Sequence, residues 1–403
     1  MADETTVPVD WAWYAKAPRS AHDYEVLATS LPEDSPEQLG PLVRGQLAGT
    51  VQSPAAGPGR VPWATIGSVP GEPDASRWCF IIRDRAAGQD AAGRDILPAR
   101  VFLIGYPAMA AVGATAGRMW QAFANYELPF DPPERLLLSG LGTTPARMTE
   151  TVRACGWEWT AAAAAAVLSG PVSIGGAENE DAAGRLAVID AISALLPYGC
   201  RAHLTAHTWT GIDTRVQPRI TFAPVGGSHR LSLGTPDRPR GALAADYLDL
   251  LNALRARFGE EGLVARLANL RDPIDVQAPG AGGTVLQAVR DLDWLAATVQ
   301  AGREGTLDPV GLGRRFDACE ADSLGPEERR ELTAFALQFA HRGDDRGTDA
   351  FLRYMTRADA VGEVVEALGT GLLTGPAAPG GDTWAWDIAR RLDRQEDVAA
   401  AYL

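Results

Sequence analysis

The stretch GPVSIGG (170–176), followed by AENED and then AAGRLAVIDAISALLP (182–197), constrains the fold more than any other part of this chain. A short apolar run bounded by glycines reads as a buried strand. The run after it places Leu186, Val188 or Ile189, Ile192 and Leu196 on one helical face, until Pro197 stops the helix and Gly199 turns the chain. A buried strand feeding such a helix needs a sheet with helices laid against it, so this part of the chain is α/β. Glu178, Asn179, Glu180 and Asp181 crowd the helix start. Backbone N–H groups there favour each carboxylate by about 0.3–1 kcal/mol.

Two alternating segments follow. In RAHLTAHTW (201–209), Ala202, Leu204 and Ala206 are apolar, and Arg201, His203, Thr205 and His207 are polar. In RVQPRITFA (215–223), Val216, Ile220 and Phe222 face one way, and Arg215, Gln217, Arg219 and Thr221 the other. The short link TGIDT predicts a hairpin with His207 opposite Gln217, Thr205 opposite Arg219 and His203 opposite Thr221. Pro218 cannot donate to a ladder, which predicts an edge strand. On this reading Arg201, His203, His207, Arg215 and Arg219 share a solvated sheet face, an arginine-rich patch suited to a protein partner.

Upstream, RWCFIIRDR (77–85) and ARVFLIGYP (99–107) read as strands, and GQLAGTVQS (45–53) as a weaker one. WAWYAK (11–16) reads as an alternating strand at a sheet edge, and AGRMWQAFANY (116–126) as a helix. Downstream, AADYLDLLNALRARFG (244–259) reads as an amphipathic helix ended by Gly259. The predicted architecture is an α+β and α/β multidomain protein. It has a small α+β domain at 9–148, an α/β middle domain with a mixed sheet at 149–259, a linker at 272–283 and a helical region at 284–403.

Composition narrows the chemistry. A hydrophobic fraction of 46% with 22% charged residues is that of a folded chain. A net charge of -14 is the wrong sign for a nucleic acid or an anionic membrane surface. The start MADETTVPVDWAW does not read as a secretory signal, and TAAAAAAVL (160–168) is too short to span a bilayer, so a cytoplasmic protein without membrane insertion is expected. Cys79, Cys155, Cys200 and Cys319 form neither a disulfide framework nor a CxxC pair.

Lys16 is the sole lysine, without a preceding glycine loop and in a segment with no sign of burial. P-loop, kinase and Schiff-base chemistries lose their central residue. His203 and His207 are the candidates for a metal-dependent hydrolase. In a strand, however, that spacing separates their Cα atoms by roughly 13 Å, and no HExxH or GxSxG motif is present. The expectation is therefore a protein without catalytic residues, cofactor or metal.

The string GPVSIGG…AAGRLAVIDAISALLPYGCRAHLTAHTWT…RITFA resembles the middle region of the actinobacterial GTPase-associated protein 1 family. Pro171, Val172, Leu195 to Gly199, Arg201, Leu204, Thr208, Trp209, Arg219, Ile220 and Phe222 carry the likeness. DWAWYAKAPRSAHDYEVLATS is similar to that family's opening domain, so the resemblance spans roughly residues 9–255. Cys200 and His203 depart from it, standing where the pattern has Leu or Phe and Asp. The strand–acidic loop–helix–LLP–strand order is also DENN-like, which implies a longin-like first domain as a fold analogy. The resemblance implies a non-catalytic protein that binds a small GTPase, and other proteins of the same bacterial signalling or conflict system. The acidic loop (Glu178, Asn179, Glu180, Asp181) and the polar hairpin face would be its partner-binding surfaces. A metal hydrolase, or a scaffold recruiting effectors through the C-terminal helices, are the alternatives.

Overall fold

The structure is a computed structural model describing residues 5–32, 35–46, 62–69, 77–84, 88–130, 134–209, 218–222, 229–294, 298, 308–318, 326–341, 345–374 and 383–402. The chain divides into two compact units, Met1–Asp291 and Leu292–Leu403. The stretches 9–148 and 149–259 thus lie in one unit, and the division falls after the 272–283 segment.

The first unit is built on a ten-stranded mixed sheet. Its strands are β1 (Val7–Ala15), β2 (Glu25–Thr29), β3 (Trp63–Val69), β4 (Arg77–Arg83), β5 (Ala99–Gly105), β6 (Leu136–Leu138), β7 (Val172–Gly175), β8 (Ala206–His207), β9 (Ile220–Thr221) and β10 (His229–Ser232). Their order is β10-β7-β9-β8-β3-β4-β5-β1-β2, with β6 on β1. The run from β10 to β8 is parallel, and every pair from β8 through β3 to β2 is antiparallel.

The two halves join where β3 meets β8, with Thr65 opposite His207 and Ile66 opposite Ala206. Thr208 extends the junction: its Oγ1 accepts from the Ala64 amide at 2.8 Å, and its own amide donates to the Ala64 carbonyl at 2.9 Å. The Trp63 and Trp209 rings lie tilted against each other beside it, 4.5 Å between centroids.

This topology corrects three expectations. First, β8 and β9 are parallel neighbours inside the sheet, with Ala206 opposite Ile220 and His207 opposite Thr221, so there is no hairpin between them. Pro218 is buried and its strand is not an edge. Second, β1 lies inside the sheet, with Trp11 and Tyr14 buried. Third, Gly45 and Gln46 close helix α1 (Ser35–Gln46), and residues 47–53 lie outside the described residues.

Helices α2 (Tyr106–Val112), α3 (Ala116–Phe123), α4 (Pro145–Cys155), α5 (Trp157–Ser169), α6 (Ala182–Ala194), α7 (Ala242–Asn269) and α8 (Ala281–Arg290) complete this unit. The alanine run lies in α5, buried on every side against α4, α6, α7 and α8; side chains that small let the neighbouring helices close in. Gly259 breaks helical geometry within α7 (φ 70°), after which the helix resumes to Asn269. The 272–283 segment is docked, not free: the Gly199 amide donates to Leu270 and the Ile274 amide to Gly199. A Cβ on Gly199 would stand 1.8 Å from the Asp272 carbonyl oxygen.

The second unit is helical, with helices at Pro309–Ala318, Pro326–His341, Asp345–Arg357, Val361–Thr374, Thr383–Arg391 and Gln395–Tyr402. Phe316, Phe351, Tyr354, Leu332, Val364 and Ile388 are at its core. Among the described residues no helix is long and apolar enough to cross a membrane.

Candidate functional site

The loop between β7 and α6 carries the exposed acidic residues. Gly176 takes a left-handed φ of 81° to leave the strand, and its amide donates to Glu178 Oε1 at 3.1 Å. A hydrogen bond from its own backbone amide, and then this one from Gly176, favour the charged form and hold the Glu178 carboxyl below its usual range. Asp181 is the N-cap of α6, accepting from the Gly184 amide at 2.8 Å. Glu178, Asn179, Glu180 and Asp181 are all exposed, as their pattern predicts.

Beneath them is Arg185, which nothing in the helical pattern singles out. Its guanidinium is buried and donates to the Ala177 carbonyl (3.2 and 3.0 Å) and the Thr208 carbonyl (2.7 Å). It also lies 5.6 Å from the centroid of the Phe222 ring. Burial lowers its pKa, and the charges of Glu178, Glu180 and Asp181 act against that shift. One buried cation therefore anchors the acidic loop to the chain leaving β8.

The predicted polar face does not exist as a face. Arg201 sits in a 3-10 turn, Tyr198–Ala202, where it is buried, lies 4.7 Å from the centroid of the Tyr198 ring and donates to the Ala114 carbonyl at 3.1 Å. His203 follows that turn, half-buried, its carbonyl accepting from Gln277 Nε2 at 3.1 Å. His207 is 0% exposed, and neither ring nitrogen has a hydrogen-bond partner among the described residues. Arg219 donates to the carbonyls of Val167 (2.7 Å) and Leu168 (3.1 Å), closing the C-terminal end of α5. Arg215 lies outside the described residues. The physical reason is the double cover of a parallel sheet: an alternating polar set implies solvent only where one sheet face is bare.

The sole lysine is also placed differently from expectation. Lys16 is buried, its Nζ 3.1 Å from Asp90 Oδ2, and Arg94 reaches the same carboxylate at 2.7 Å. For the metal reading, burial takes the His207 ring out of reach of solvent. Among the described residues no three His, Cys, Asp or Glu side chains gather as a metal site.

A second polar feature lies inside the unit. A cavity of about 20 Å³, room for one water, is lined by Trp78, Asp190, Ser193 and Arg201. Among the described residues, Trp78 Nε1 and Arg201 Nε have no hydrogen-bond partner. Asp190 accepts from the Ala116 and Gly117 amides at the start of α3. The clue in the sequence was an aspartate inside the apolar run LAVIDAISALL.

No family model matches the chain, and no match to it was found among curated proteins or solved structures.

Proposed function

We propose that this chain is a non-catalytic, cytoplasmic GTPase-associated protein that uses the acidic loop Glu178–Asp181 to bind a small bacterial GTPase and regulate or tether it. The observation carrying this reading is the loop itself. It holds three exposed carboxylates on a strand-to-helix turn, fixed by the Asp181 cap and the buried Arg185. A preorganised charged surface lowers the ordering cost of association and steers encounter with a basic partner. The sequence resemblance supplies the partner class. Carboxylates brought beside a bound nucleotide would oppose its phosphates and compete for Mg²⁺-linked contacts, favouring GDP release.

The test is retention of host small GTPases, loaded with GDP or with a non-hydrolysable GTP analogue, on the wild-type chain and on a loop variant. Glu178→Lys and Glu180→Lys reverse charge, and Asp181→Ser removes charge while keeping a capping side chain. The reading expects a GTPase held preferentially in one nucleotide state and lost by the variant. Retention and exchange untouched by the variant, or no GTPase in either arm, would sink it.

A further inference from the structure

A different surface carries an unassigned site. The chain leaving β10 toward α7 encloses a cavity of about 380 Å³ lined by Arg230, Arg238, Arg240, Asp237, Leu231 and Pro239. That volume lies within the range of small-molecule pockets. Three arginines and His229 thus border the same space as a single carboxylate, in a chain whose net charge is -14.

Elsewhere this protein pairs many of its arginines. Arg135, Arg153, Arg329, Arg353 and Arg391 each meet a carboxylate within 3 Å. Arg230, Arg238 and Arg240 are exposed, and none donates to a carboxylate or carbonyl among the described residues. The ordinary explanation would be that they neutralise the C-terminal end of α5, whose Ala166 borders the cavity. Arg219 already does this with two hydrogen bonds to Val167 and Leu168.

Bringing three like charges to one concavity costs Coulomb energy that the single carboxylate of Asp237 offsets only in part, and a bound anion would offset the rest. Leu231 and Pro239 are the buried, apolar part of the lining, and the exposed Arg230, Arg238 and Arg240 are its cationic part. Arg240 precedes Gly241, the N-cap of α7, whose first turn has neither an acidic residue nor a side-chain cap, so the helix dipole adds to the positive field.

We propose that this pocket binds a small polyvalent phosphate, with Arg230, Arg238 and Arg240 as its ligands. Planar guanidinium groups match phosphate oxygens in bidentate geometry, and a diphosphate can satisfy several of them at once. The site is separate from the acidic loop and does not depend on the GTPase reading.

Calorimetric titration of the full chain with inorganic pyrophosphate, and in parallel with a nucleoside diphosphate, tests it. Saturable binding is expected, weakening with added salt. Arg238→Ala with Arg240→Ala should weaken it roughly ten-fold or more, and Arg230→Ala should do so in the same direction. Arg147→Ala, an exposed arginine elsewhere, should leave it unchanged, and unaltered thermal melting would show that the variants fold. Tighter binding of the nucleoside diphosphate would identify a nucleotide as the carrier, and equal binding a free diphosphate; both outcomes uphold the site. Absent binding, binding insensitive to all three arginines, or binding of polyglutamate without binding of pyrophosphate would overturn it.

Discussion

Asp190 and Gly117 meet where α6 crosses the start of α3: the Gly117 amide donates to Asp190 Oδ2 at 2.8 Å. The other carboxylate oxygen accepts from the Ala116 amide at 2.9 Å, so a side chain from a distant helix closes the end of α3. A Cβ at Gly117 would lie 2.9 Å from the same Oδ2, which is why glycine stands there. The contact ties the antiparallel part of the first unit to the parallel part.

Asp190→Ala is expected to destabilise the first unit by about 2–4 kcal/mol, since it leaves the buried Ala116 and half-buried Gly117 N–H groups without this acceptor. Gly117→Ala should destabilise in the same direction by pushing the carboxylate off its position. Urea unfolding followed by circular dichroism checks both. Wild-type midpoints in both variants would show that the cap contributes nothing.

His207 gives the first unit a pH dependence. Burial pushes its pKa down to about 4, against about 6.5 in an unfolded chain. Between those values the unfolded state holds roughly one more proton, so stability rises with pH across the window. It is lost as pH falls from about 6.5 toward about 4, by roughly 3 kcal/mol in total. His207→Leu removes the titrating group and should flatten that part of the profile. Denaturation of wild type and variant at pH 5 and pH 7 isolates the residue, because the other histidines are common to both.

Arg219 separates a structural role from a partner-binding one. Its two hydrogen bonds to the end of α5 predict that Arg219→Ala costs about 1–3 kcal/mol of stability. Arg219→Lys should recover only part, because an ammonium lacks the guanidinium fork. A binding residue would show the opposite pattern, with partner retention lost at unchanged stability.

Much of the fold was legible. The runs predicted at 77–85, 99–107 and 170–176 contain strands β4, β5 and β7, and the stripes at 116–126 and 182–197 contain helices α3 and α6, because burial periodicity is local information. Strand partnership is not local. His207 and Thr221 carry the alternation of a strand, but nothing in it says that β3 takes one side of β8 and β9 the other, in parallel. Residues 198–202 show the second limit: a 3-10 turn interrupts what alternation presents as a continuous strand, and places Arg201 in the interior. The acidic loop was legible because helix-start chemistry is written in adjacent residues. Arg185 was not, since its partners Ala177 and Thr208 are brought together only by the sheet.

Arg185 is where fold and proposed function can be separated. Arg185→Met keeps length and removes the donors to the Ala177 and Thr208 carbonyls, which should destabilise the first unit by about 2–4 kcal/mol. Amide hydrogen exchange over residues 176–181 should quicken more than it does in Arg219→Ala, whose lost bonds lie at α5. The substitution also removes the buried positive charge nearest Glu178, Glu180 and Asp181, making the loop electrostatically more negative. If total charge alone attracts the partner, binding will hold or strengthen. A loss of GTPase retention in a variant still folded by circular dichroism would instead mean that the fixed geometry of the three carboxylates is what the partner reads.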